Sequence, residues 1–393
     1  MNFDMNSSLN SNSTIITPDE VGTCRISNWL IAKAENDKQP LISVICAIGV
    51  LLLTGMIGNG LVIYVYARKP KTTTNRIFIL ALAILDFLSC TVVIPFEIYD
   101  LGHTFTFTRT ILCKLARFSE FMLILGAGFT LVAISIDRYV HLCRYKSRLL
   151  LTASRAKKVC GFCVFLGLCF AVPLLSFAGL EKIPLYANET NVTACGCTTF
   201  KDPNAKSGKI YTYLLMSVFL SALITMLVSY CFIGATLYGR RQGKTRNGLT
   251  FITNTEETKR LHKTKAFPEM RKKESFAIGK STSFSLNGST FIFLTVTVVF
   301  VIGFVPHLSV RVFRFLHLAF NDDTSMDLLY NFLVRSYLIN SVSNPFIYSI
   351  IHKRFRDELL KTIKSIICCK RKSSLSKSQR SRTNSTNNET SFT

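Results

Sequence analysis

Seven stretches of this 393-residue chain are apolar over 20 or more residues, near 41–66, 77–99, 111–142, 157–178, 210–238, 288–318 and 328–351. A run of about 20 apolar residues is long enough to cross a bilayer as a helix. A helix is also one of the few structures that satisfies its own backbone polar groups without water. The overall hydrophobic share of 49% would suit a soluble protein equally well. What decides is segregation, because Ser-, Thr-, Asn- and Lys/Arg-rich segments separate the stretches. We therefore expect an all-α membrane protein, with one seven-helix transmembrane bundle over 41–351 instead of two or three soluble domains.

The formal net charge of +24 sets the topology. Arg68, Lys69, Lys71 and Arg76 follow span 1, and Arg144, Lys146, Arg148, Arg155, Lys157 and Lys158 lie between spans 3 and 4. Residues 240–280 hold twelve Lys/Arg against four Glu, whereas the link 319–327 has three Asp and no base. The positive-inside rule puts these basic segments in the cytoplasm. Residues 1–40 then form an extracellular segment, 240–285 a basic third cytoplasmic loop and 368–393 a disordered cytoplasmic tail. Anionic head groups account for basic residues beside spans, so nucleic acid is not an expected partner. No short apolar core lies near Met1, so span 1 is expected to act as the insertion signal.

Four cysteines fall on the expected outside: Cys24, Cys113, Cys195 and Cys197. Cys113, at the mouth of span 3, is expected to bridge to Cys197 or Cys195, with Cys24 taking the other. Acceptor triplets for N-glycosylation at Asn6, Asn12, Asn188 and Asn191 share that side.

The pattern resembles a rhodopsin-like (class A) G-protein-coupled receptor of the peptide-receptor type over about residues 41–369. The resemblance rests on Gly58-Asn59 in span 1, Leu82-Ala83 and Asp86 in span 2, and Cys113 at the head of span 3. It continues through Asp137-Arg138-Tyr139, Tyr230, Phe300 to Pro306, and Asn344-Pro345-Phe346-Ile347-Tyr348. Cys113 stands 25 residues before Arg138, as the family requires. The departures are the tryptophans usual in spans 4 and 6, since the one Trp is Trp29, and the span-5 proline, replaced by Ala222.

The resemblance implies roles for polar groups that are costly inside apolar spans. Asn59, Asp86, Asn340, Ser341 and Asn344 should form a hydrated network, with sodium as its candidate ion near Asp86; no other cofactor or metal is expected. Asp137, Arg138 and Tyr139 should hold the cytoplasmic switch, with Tyr230, Phe300, Phe304, Pro306, Asn344, Pro345 and Tyr348 moving with it. Leu286 stands near where the family often carries a second acid pairing with Arg138, which predicts appreciable basal activity.

Glu120 lies 18 residues before Arg138 on the same face of span 3, about 27 Å away at about 1.5 Å per residue. It should face an outer pocket with Phe121, Glu97, His307, Arg311, Arg314 and Tyr337. Its carboxylate could serve a ligand's amine or arginine, or pair with Arg311. A small monoamine needs one acid in an aromatic cage. Carboxylates together with several arginines suit a larger ligand of mixed charge, so a neuropeptide or peptide hormone is expected; a small anionic or lipid ligand is the alternative.

At the inner end, 352–367 reads as a short amphipathic helix 8, with Phe355, Leu359, Ile363 and Ile366 on one face. Cys368 and Cys369 suit palmitoylation. The Ser/Thr-rich tail suits a receptor kinase and then arrestin. The expected partners are thus an extracellular peptide, a heterotrimeric G protein, arrestin, a receptor kinase and membrane lipids, at the plasma membrane. A transporter would show an internal repeat and paired broken helices. An enzyme would need clustered ligands or nucleophiles, but His103, His141, His262, His307, His317 and His352 are scattered.

Overall fold

The computed structural model describes residues 28–68, 72–144, 150–187, 190–202, 205–262, 288–315, 324–353, 355–362 and 364. Six helical segments among these are long and apolar enough to cross a membrane: Leu41–Ala67, Thr74–Gly102, Thr110–Cys143, Ala153–Phe177, Lys206–Arg240 and Gly288–Phe313. The seventh is divided into helices Thr324–Val334 and Leu338–Ile351. Side chains such as Val50, Leu53 and Ile57 of span 1 point away from the bundle. Those of Phe78, Leu82, Ile134, Phe293 and Tyr348 form its core.

Local chemistry sets several of the ends. Thr73 and Thr152 cap spans 2 and 4, each accepting from the backbone N–H three residues on. Span 2 contains a π-helical turn, Ser89–Val93, closed by Ile94 N–H onto the Ser89 carbonyl. Pro95 stands two residues beyond Val93, and its ring would clash with a carbonyl of the preceding turn in a regular helix. The wider turn relieves that clash and re-aims Glu97 and Asp100.

Span 7 was expected as one helix over 328–351. It breaks at 335–337, where Ser336 Oγ donates to the Gly303 carbonyl of span 6 at 2.8 Å. Spans 6 and 7 come together at Gly303: a Cβ there would lie 2.7 Å from Asn340 Oδ1. Spans 3 and 4 meet at Gly167, whose Cβ would lie 2.8 Å from both Gly126 N and Met122 O.

Span 5 continues as helix to His262, so the first part of the expected loop 240–285 is helical. Span 1's helix starts at Asn28, before the apolar stretch begins. Strands β1 (Gly179–Ala187) and β2 (Thr190–Thr198) pair antiparallel between spans 4 and 5, with Leu180 opposite Cys197. Backbone bonds between Cys195 and Phe105 and Phe107 tie this hairpin to the link between spans 2 and 3.

Candidate functional site

Charge concentrates where spans 2, 3 and 7 meet. Arg117 Nη1 donates to Glu97 Oε1 at 2.8 Å and to Glu120 Oε2 at 2.9 Å, while Nη2 reaches Asp100 Oδ2 at 2.8 Å. Arg335, delivered by the break in span 7, places Nε 2.8 Å from Glu97 Oε2. Side-chain exposure runs from 1% at Glu120 to 12% at Asp100. Three acids and two guanidiniums so buried must be mutually paired, because a lone charge there is very unfavourable. Arg117 also lies over the Phe96 ring, 5.2 Å from its centroid.

A cavity of about 250 Å³ lies beside this cluster, between spans 3, 5 and 6 and under the loop strands. Glu120, Phe121, Phe129, His307 and Arg311 line it, with Phe300 and Phe304 at its floor. Phe304 stacks on Phe300 at 5.5 Å and on Phe219 of span 5 at 4.8 Å. The buried His307 packs against Tyr337, and its Nδ1 lies 2.5 Å from the Val334 carbonyl oxygen. The Cys113–Cys197 disulfide holds β2 to span 3. Cys195 is also disulfide-bonded, while Cys24, its expected partner, lies outside the described residues.

Mid-bundle, Asn344 Nδ2 donates to Asp86 Oδ2 at 2.6 Å, and Asn59 Nδ2 donates to the Ser341 carbonyl at 2.7 Å. Asp86, Asn340, Ser341 and Asn344 line a second cavity of about 30 Å³. The Oδ1 atoms of Asn59 and Asn340 are buried without a hydrogen-bond partner. Through Asn340 Oδ1 and Asp86 the cavity offers oxygen acceptors and room for water or a small hard cation.

At the cytoplasmic end the buried Arg138 is ion-paired with Asp137. Its guanidinium also lies over the Phe293 ring of span 6, 5.4 Å from the centroid. Tyr139 packs on Phe232, and Tyr230 Oη lies 3.2 Å from Thr297 Oγ1. Pro306 and Pro345 sit inside their helices. Tyr348 is fully buried against Phe355.

A membrane bundle with the Asp137-Arg138-Tyr139 triplet and this polar core can be set beside known proteins. The model of the family described as "7 transmembrane receptor (rhodopsin family)" matches residues 58–348. The chain belongs to that family. The receptor is 26% identical to the cholecystokinin receptor type A of Homo sapiens over 399 residues, which cover 93% of this chain and 90% of the relative. It is 39% identical to the neuropeptides B/W receptor type 2 of Bos taurus over 196 residues, 48% of this chain and 54% of the relative. The galanin receptor type 1 of Mus musculus is 26% identical over 342 residues, 85% of each chain. Members of the family are signalling receptors and not enzymes, and this one is a multi-pass membrane protein.

The structure corrects the charge pairing read from the receptor's sequence. Glu120 bonds Arg117, and Arg311 makes no ion pair among the described residues. Glu97 is held in the ionic cluster and does not line the large cavity. Arg117 and Asp100 were missed as site residues. Their signal was present: Glu97 with Asp100 and Arg117 with Glu120 are ionisable pairs three apart inside apolar spans. The side chain of Arg314, together with Asn6, Asn12, Asn188, Leu286, Cys368 and Cys369, lies outside the described residues, as does the side chain of Asn191. Residues 355–362 are helical, with Phe355 buried against Tyr66.

Proposed function

We propose that this receptor binds an extracellular peptide and in response activates a heterotrimeric G protein. The observation that carries the reading is the state of Glu120. It is the acid best placed to meet a small amine, yet Arg117 already neutralises it at 2.9 Å. A pocket whose Glu120 is already paired, lined by aromatic rings and lying beneath a β-hairpin, suits a ligand that makes many contacts. The similarity to receptors named for cholecystokinin, neuropeptides B/W and galanin supports the same class.

Mechanistically, ligand that binds better to the state with span 6 swung outward shifts the population toward it. In that state Arg138 leaves Asp137 and Phe293 and meets the G protein, while Tyr348 turns from Phe355 toward Arg138 and Tyr230. Asp86, Asn340, Ser341 and Asn344 would hold water and a sodium ion in the resting state. The N-terminus lies outside the plasma membrane, basic loops meet anionic lipid, and a phosphorylated tail recruits arrestin after a receptor kinase acts. The test is G-protein activation by wild type and Arg138→Ala, each with and without a neuropeptide library. Signal lost in a surface-expressed Arg138→Ala supports the reading. Silence of surface-expressed wild type with every G protein and peptide would overturn it.

A further inference from the structure

The cavity's charges are unequally committed. Of the acids that line it, Glu120 is closed by Arg117, which together with Arg335 also holds Glu97 and Asp100 outside the lining, and Glu181 and Asp202 stand on the loop side. Arg311 lines the same cavity one turn above His307 and two above Phe304, and has no ion-pair partner among the described residues. Lys209 at the head of span 5 adds a second such cation to the lining. Beneath them the stacked rings of Phe219, Phe300 and Phe304 form an apolar floor. We propose that Arg311 anchors an acidic group of the ligand, with a neighbouring bulky apolar side chain seated on the phenylalanine floor. This deepens the peptide reading and rests on it. A guanidinium binds a carboxylate through two parallel hydrogen bonds, and partial burial strengthens both. A ligand cation directed at Glu120, by contrast, would have to compete with Arg117, which already holds that carboxylate at 2.9 Å.

The probes are pentapeptides identical except for one residue, Asp, Asn or Lys, beside a phenylalanine, and benzoate as a small carboxylate. The readout is the thermal stability of purified receptor. Wild type should be stabilised by the Asp forms above the Asn and Lys forms. Arg311→Gln should abolish that preference, and Arg311→Glu should turn it toward Lys. No stabilisation by any acidic probe, or a preference that survives Arg311→Gln, overturns the proposal. Stabilisation by benzoate through Arg311 but by no peptide keeps the anion site and sinks the peptide reading.

A separate observation concerns the inner half of span 6. Ser289, Phe293 and Thr297 stand four residues apart, hence on one helix face. Each engages a different part of the bundle. Ser289 Oγ accepts from Asn75 Nδ2 of span 2 at 2.8 Å. Phe293, wholly buried, meets Phe78 of span 2 edge-on at 6.4 Å and lies under Arg138 of span 3. Thr297 Oγ1 meets Tyr230 Oη of span 5. We infer that this uncharged stripe is the clasp that holds span 6 closed, with the Phe293 ring serving where an acid facing Arg138 would otherwise act. Cation–π and hydrogen-bond contacts are weaker than a buried ion pair, so the clasp opens readily.

The test places spin labels at the cytoplasmic ends of spans 2 and 6 and measures their separation in purified receptor without ligand. Phe293→Leu keeps bulk but removes the ring, and should populate longer separations severalfold over wild type; Asn75→Ala should act in the same direction. Phe293→Tyr, which keeps the ring, should match wild type. Unchanged separations in both Phe293→Leu and Asn75→Ala would overturn the inference. Because no G protein is present, that result is independent of coupling.

Discussion

Arg117 and Glu120, one turn apart on span 3, are joined at 2.9 Å with side chains only 8% and 1% exposed. The same guanidinium holds Glu97 and Asp100 of span 2, so one residue ties two spans and silences the pocket's deepest acid. Replacing Arg117 with Met leaves three buried carboxylates to Arg335 alone. Breaking a buried pair from one side costs about 3–5 kcal/mol. Arg117→Met should therefore lower the melting temperature and surface level of the receptor, and adding Glu120→Gln should restore part of both. A single variant that melts like wild type would show that the cluster does not support the fold.

Gly167 tests the packing of spans 3 and 4. Any side chain there meets backbone atoms of Gly126 and Met122, which cannot rotate away. Gly167→Val should force the spans apart, costing about 1–3 kcal/mol or more, and should reduce surface expression strongly. Gly303→Ala should be milder, since the obstacle is the Asn340 side chain, which can turn. Surface staining of both variants ranks the two effects.

The Asp86 cavity makes an ion-specific prediction. If sodium occupies it, wild-type receptor should melt at higher temperature in sodium chloride than in choline chloride at equal ionic strength. Asp86→Asn should remove the difference. Equal melting of wild type in both salts would leave the cavity to water alone.

Cys113 and Cys197 are separated by 84 residues and hold the hairpin over the pocket. Losing such a bridge typically costs about 2–5 kcal/mol. Cys113→Ser, Cys197→Ser and the double variant should lose the same stability, because each breaks one shared bond. A double variant about twice as damaging as either single would contradict a shared bridge, and thermal unfolding of the three proteins decides it.

The mid-bundle network was legible because Asp86, Asn59 and Asn344 are polar residues within apolar runs, where few alternatives to mutual contact exist. The Arg138–Asp137 pair was legible because it is local to one helix end. The role of Phe293 was not, since one phenylalanine among 31 carries no mark of standing beneath an arginine from another span. The pairing of Arg117 was half visible: helical spacing joins it to Glu120, but nothing local says that Glu97 and Asp100 share it.

By itself the sequence determined that the chain crosses a membrane as seven apolar segments with their polar residues at fixed depths. That much follows from the period of one helix and from the absence of water in hydrocarbon. Only the tertiary structure decided which charges meet. A π-turn before Pro95 re-aims Glu97 and Asp100, and a break at 335–337 turns Arg335 inward. The first answers a proline within its own helix and the second comes with the Ser336–Gly303 contact between spans 6 and 7, but which partner each buried charge then meets depends on how the spans pack, because burial makes every unpaired alternative too costly.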